Sequence, residues 1–98
     1  MKILAIEREN PEVTAEQFRP YLKAEARRAW ELYQAGLLRE LYFHRDRHTA
    51  VLVLECAEEG EARAALDSLP LVQAGLIRFD LLPLIPYPGF SRLFAEEG

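Results

Sequence analysis

The sequence predicts an α+β domain with the order strand-helix-strand-strand-helix-strand, and three observations predict it. Short apolar, β-compatible runs occur at Lys2–Arg8, Leu37–His44, Ala50–Cys56 and Leu76–Leu84. Segments with helical apolar spacing separate the first from the second and the third from the fourth. The charged, turn-like Arg45-Asp46-Arg47-His48-Thr49 joins the middle two as a hairpin. This is the split βαβ, or ferredoxin-like, arrangement. Its expected form is a four-stranded antiparallel sheet with both helices on one face. A chain of 98 residues with half of them hydrophobic is expected to be a single domain, 1–98.

Each element has a local reason. Glu9-Asn10-Pro11-Glu12 reads as a loop, after which Thr14-x-x-Gln17 forms a capping box that satisfies free N–H groups. The helix it opens runs to Ala35 and stops at Gly36. Phe18, Leu22, Ala26, Ala29 and Tyr33 fall on one face of it. Pro20 cannot donate to the carbonyl of Glu16, so a kink or a fresh start is expected there. The second helix spans Glu58 to Leu69, with Ala62, Ala65, Leu66 and Leu69 as its buried stripe, and Pro70 ends it. In the last strand Ile77, Phe79 and Leu81 meet the helices, while Arg78 and Asp80 take the other face.

The third strand is apolar on both faces, Leu52 and Leu54 on one and Val51 and Val53 on the other. A strand buried on both sides implies a layer over the open face of the sheet. The chain has no third helix to supply it, so a second copy of the chain is the expected source. The stiff apolar tail at 85–98, with Tyr87, Phe90, Leu93 and Phe94, is expected to pack on that partner.

Composition excludes several function classes. A net charge of −4 and a pI near 5.2 argue against a nucleic-acid partner, which needs clustered positive charge. No run approaches a membrane span and no signal-peptide pattern opens the chain, so neither membrane insertion nor export is expected. The single Cys56 fits a reducing, cytoplasmic setting and offers neither a disulfide nor a zinc site. There is no Gly-rich phosphate loop, nucleophile elbow or HExxH motif, and no cofactor is expected.

Few residues are placed to carry chemistry. Glu25 lies one helical position from the core face, stacked with Tyr21, Arg28 and Leu32. At a cavity edge its pKa would rise by desolvation and suit a general base. The alternative is a solvated carboxylate paired with Arg27 or Arg28. Arg39 suits bidentate binding of a carboxylate. Arg39 reads equally well as an edge-strand charge that guards against pairing, and Arg78 and Asp80 are read as such edge charges in preference to site residues. Glu7 and Glu55 end the two central strands and are read as the points where these reach water. His44, Asp46 and His48 share a hairpin, where i, i+4 spacing does not converge on a metal, and are read as a solvated turn. Trp30, Tyr33 and Tyr42 suit a pocket wall, a core or an interface.

Several of these residues together resemble the muconolactone isomerase-like branch of the dimeric α/β-barrel proteins. They are Leu22-Lys23-Ala24 and Glu25, the stop at Gly36, Arg39 and Leu41, and Leu69-Pro70-Leu71. The resemblance runs from about Leu22 to Pro83. It implies two protomers packed sheet to sheet, with a substrate cavity beside each sheet. It also implies a cofactor-independent proton shift on an unsaturated lactone or similar anionic substrate. In that reading Glu25 moves the proton, Arg39 holds the anion, and Tyr42, Trp30 and Arg28 border the site. The chain departs from the pattern at Glu40, where a histidine is expected, in its apolar third strand, and in the Pro-Tyr-Pro-Gly-Phe tail. The alternative is a non-catalytic member that binds a small hydrophobic ligand or serves as an oligomerisation module.

Overall fold

A computed structural model describes residues 1–8 and 10–95; Glu9 of the expected loop and residues 96–98 of the expected tail lie outside the described residues. Strands β1 (Lys2–Arg8), β2 (Leu38–Phe43), β3 (Ala50–Glu55) and β4 (Arg78–Leu84) form one antiparallel sheet in the order β2-β3-β1-β4. The apolar β1 and β3 are central, and β2 and β4 are the edges. The helical segments α1 (Ala15–Phe18), α2 (Leu22–Gln34), α3 (Glu59–Asp67) and α4 (Pro70–Gln73) connect them.

The first helical stretch breaks where Pro20 requires it. A 3-10 turn, Arg19–Tyr21, separates α1 from α2. At the start, the Thr14 N–H donates to Gln17 Oε1 at 2.8 Å, the return half of the capping box. At the end, Gly36 adopts φ +83. Its N–H bonds the carbonyl of Tyr33, and the Leu37 N–H bonds that of Leu32, both at 3.1 Å. That is a Schellman motif, and only glycine enters its left-handed position without strain. The same motif closes α4 at Gly75 (φ +75), through Gly75 to Val72 and Leu76 to Leu71.

Two helical expectations need correction. The inward stripe of α2 passes through Glu25, Ala29 and Leu32 and leaves Tyr33 exposed, because the 3-10 turn resets the phase of the helix after Phe18. Pro70 does end α3, but it also opens α4 as its first residue, where its missing N–H costs nothing.

The core lies between the sheet and the helices. Ile3 and Leu54 are fully buried on the sheet, and Ala62 and Leu66 face them from α3. Period-2 alternation puts Ile3, Ala5 and Glu7 of β1 on this inner face with Ala50, Leu52 and Leu54 of β3. The edge strand β2 carries a bulge between Leu38 and Glu40: Leu38 stands opposite Leu54, but Glu40 already stands opposite Val53. The extra residue is Arg39. Past it, Leu41 and Phe43 turn to the inner face, while Glu40 and Tyr42 share the outer one, their side chains joined at 2.7 Å.

Among the described residues no helix lies over the outer face. Rows across the strands read Tyr42-Val51-Ile6-Asp80 and Glu40-Val53-Leu4-Leu82. The middle of each row is apolar and charge stands only at the edges. Asp80 is ion-paired with Arg8, whose hydrogen bond is the main reason its carboxyl lies below the usual range. Beyond β4, a second 3-10 segment, Gly89–Phe94, leaves Tyr87, Phe90, Leu93 and Phe94 exposed. The molecule measures 61 × 29 × 20 Å, and its radius of gyration of 16.7 Å exceeds the ~13 Å of a compact chain of this length.

Candidate active site

A cavity of about 270 Å³ lies between α2 and the inner face of the sheet. Its wall is largely apolar and includes Phe18, Leu32, Leu41, Leu52 and Phe79. Its polar groups are Glu7, Glu25 and His48. It adjoins a mouth of about 450 Å³ beneath the Asn10–Thr14 loop, with which it shares Glu7, Phe18, Leu22 and His48.

Glu25 is held from one side. Its Oε1 accepts the Leu71 N–H at 2.9 Å. Leu71 follows Pro70 at the start of α4, and the capping position is Leu69, which has no polar side chain to offer. The Glu25 carboxylate therefore satisfies a free N–H across the gap between helices. Among the described residues its Oε2 has no hydrogen-bond partner. Burial raises the Glu25 pKa, the Leu71 N–H opposes that rise, and the charge of Glu7 adds to it. A carboxyl kept above its ordinary range in an apolar chamber is a stronger base once ionised.

Glu7 is the second carboxylate of the site. It is 9% exposed and accepts the Ala50 N–H at 2.9 Å. It occupies a row across the sheet with Phe43, Ala50 and Phe79. The expectation that Glu7 marks the end of the strand at water is corrected: it follows Ile3 and Ala5 inward, and the period-2 pattern carried that signal. His48 is exposed in the turn between β2 and β3, as expected, but it also borders the site. Its ring stacks on Phe43 at 4.5 Å and lines both cavity and mouth. His44 turns away, its Nδ1 accepting the Asp46 N–H at 3.0 Å. No cluster of three metal-ligating side chains occurs among the described residues.

The other expected site residues are not brought together with Glu25. Arg39 sits at the bulge, and its Nε donates to the Gly36 carbonyl at 2.6 Å. Tyr42 lies on the outer face of the sheet because the bulge inverts the alternation. Trp30 is exposed and stacks on Tyr33 at 5.5 Å. Arg28 bonds Ser68 Oγ at 2.8 Å and Glu31 at 3.0 Å, tying α2 to the end of α3. The expected cavity wall of Tyr42 or Trp30, with Arg39 beside Glu25, is thus replaced by Phe43, Leu41 and Glu7. Among the described residues neither Arg27 nor Arg28 pairs with Glu25, which removes the surface ion-pair reading of that carboxylate. Glu55 pairs with the N-terminal amine at 2.8 Å, away from the cavity.

The Glu25 pKa has a consequence for stability. A folded pKa above the unfolded one means protonation favours the folded state. That contribution is complete below the ordinary value of 4.5 and is lost as pH rises through the folded pKa. Glu25→Gln keeps an acceptor for the Leu71 N–H and cannot ionise. Its denaturation midpoint should match the wild type near pH 4 and exceed it at pH 7. A difference that does not change with pH would show that Glu25 is not desolvated.

An α+β domain whose helices form one layer on one face of a β2-β3-β1-β4 sheet, with an acid-bearing chamber beneath the longer helix, is the muconolactone isomerase-like fold. Muconolactone isomerase itself matches with a TM-score of 0.73 at 15% identity, over 91% of this chain and 93% of that one. The 5-chloro-2-hydroxyhydroquinone dehydrochlorinase of Burkholderia phenoliruptrix AC1100, solved with 2,5-dihydroxybenzoquinone, matches with a TM-score of 0.72 at 13% identity, over 89% and 96%. No family model and no curated protein matches the chain. No helix among the described residues is long and apolar enough to cross a membrane.

Proposed function

We propose that the chain is a homodimeric, cofactor-independent isomerase that shifts a proton on a small unsaturated lactone or related cyclic carbonyl compound. The observation that carries this is Glu25: a carboxylate fixed through one oxygen, with the other unbonded, in an apolar chamber of ligand size. Ionised Glu25 takes a proton from the carbon beside the carbonyl, and the electron pair moves to the carbonyl oxygen. Protonated Glu25 then returns the proton at the far end of the conjugated system. His48 offers a ring N–H to the enolate oxygen. No metal or redox partner is needed to balance these steps. The fold match to muconolactone isomerase supports the reading, and the reducing cytoplasm suits the lone, buried Cys56.

The test offers the protein an unsaturated γ-lactone in D₂O, both as the free carboxylate and as its methyl ester. Migration of the double bond with deuterium incorporation, at a rate above buffer, is the expected result. If neither form reacts, the isomerase proposal fails. A second reading, a non-catalytic binder of a small hydrophobic ligand, is favoured by the hydrogen bond from the Leu71 N–H, which gives Glu25 a purely structural task.

A further inference from the structure

The polar groups of the cavity form an unusual set for a site expected to hold an anion. β1 contributes Glu7, α2 contributes Glu25 and the hairpin contributes His48, whereas the segments of α4 and β4 that face the cavity contribute Leu71, Ile77 and Phe79. Among the described residues no arginine or lysine lines it. Arg39, the one cation expected to hold a carboxylate, is bonded to the Gly36 carbonyl. An anionic ligand would bring another negative charge against two carboxylates in a chamber of low polarity, where like charges repel most strongly. A permanent cation would find attraction, but it would lose its hydration among Phe18, Leu41, Leu52 and Phe79. A neutral ring avoids both costs, and one hydroxyl on it can donate a charge-assisted hydrogen bond to the unbonded oxygen of Glu25.

We infer that the cavity selects uncharged, ring-sized molecules that carry a hydroxyl donor and excludes carboxylates. The inference rests on the reading of this cavity as the substrate site. Size agrees with it: an apolar cavity of about 150 Å³ takes benzene, so one of about 270 Å³ has room for a substituted or fused pair of rings. Burial supports it as well, since the same apolar walls already hold Glu25 above its usual pKa. The hydroxyl bond also positions a neutral substrate against Glu25, the proposed base.

The experiment compares three probes of one shape by isothermal titration at pH 7: 2-naphthol, 2-naphthoate and 2-naphthylmethylammonium. Amide chemical shifts locate each one. 2-Naphthol is expected to bind at least tenfold more tightly than either ion and to shift the Leu71 and Ala50 amides, whose N–H groups the two carboxylates hold. Glu25→Gln should weaken 2-naphthol several-fold, since a neutral acceptor makes roughly half as strong a bond, and should tighten 2-naphthoate. Glu7→Gln should also tighten 2-naphthoate, which keeps the test valid if one variant folds poorly. The inference is overturned if either ion binds as tightly as 2-naphthol, if none of the three binds, or if the shifts fall elsewhere. A protein that binds 2-naphthol in this way but isomerises no lactone keeps this inference and loses the isomerase proposal. One that isomerises only the lactone carboxylate loses this inference and keeps the other.

Discussion

Glu25→Gln is expected to slow proton transfer by two to four orders of magnitude, the usual effect of removing a positioned general base. The substitution isolates chemistry from architecture. Glutamine has the same length and shape, and its Oε1 can still accept the Leu71 N–H at the start of α4. Glu25→Ala removes base and cap together, so it should lose activity and also about 1 kcal/mol of stability, the typical cost of a lost cap. If Glu25 is only a cap, Glu25→Gln will keep the wild-type exchange rate and Glu25→Ala will lose stability alone. The measurement is deuterium exchange into the lactone with thermal melts of each variant. The wild-type rate should rise with pH as Glu25 ionises, with its midpoint above the ordinary value of 4.5, because burial opposes the charge. A midpoint below that value would mean that the reacting group is not this one.

Val53→Lys is expected to convert a dimer into a monomer. Val53 sits on β3 near the middle of the outer face, between Glu40 of β2 and Leu4 of β1, with Leu82 beyond on β4. If a second copy covers that face, the lysine would be an unpaired charge inside an interface, which costs about 3–5 kcal/mol per site and twice that across a symmetric contact. The fold of the protomer should survive, since the new side chain points away from the core. Light scattering on the wild type should give about twice 11.3 kDa at micromolar concentration, and the interface should bury more than roughly 1,200 Å². A monomeric wild type would refute the proposed assembly. A dimeric Val53→Lys would leave the apolar tail from Ile85 to Phe94 as the contact surface.

Much of the fold was legible because period and punctuation agree. Alternation located the strands, Gly36 and Pro70 marked the helix ends, and the doubly apolar β3 placed itself at the centre. Part of the site was equally available. Glu7 is two residues beyond Ala5 on a strand whose inner face is otherwise apolar, so simple alternation points it into the chamber. Its position near a strand end suggested water instead. His48 was less accessible, because its place depends on how the hairpin folds back onto Phe43, and no local spacing encodes that. Tyr42 and Arg39 went astray for one reason. A bulge adds a residue without changing the apolar pattern enough to announce itself, so alternation counted from Leu38 gives the wrong face for everything after it. Trp30 and Arg28 lie on a helix whose phase was reset by the turn at Pro20, and only the packing of α2 against α4 and β2 decides where they end.

The extra residue in β2 has a consequence for how the strand tolerates changes of length. Loss of the single codon for Arg39 would remove the bulge and leave Leu38 opposite Leu54, Glu40 opposite Val53 and Leu41 opposite Leu52. Leu41 and Phe43 would stay in the chamber, and Glu40 and Tyr42 would stay on the outer face. A deletion that turns over every later side chain in a plain strand is absorbed here, because the bulge already holds one residue outside the ladder. The wall of the chamber is thereby buffered against a one-residue shortening of the strand that borders it.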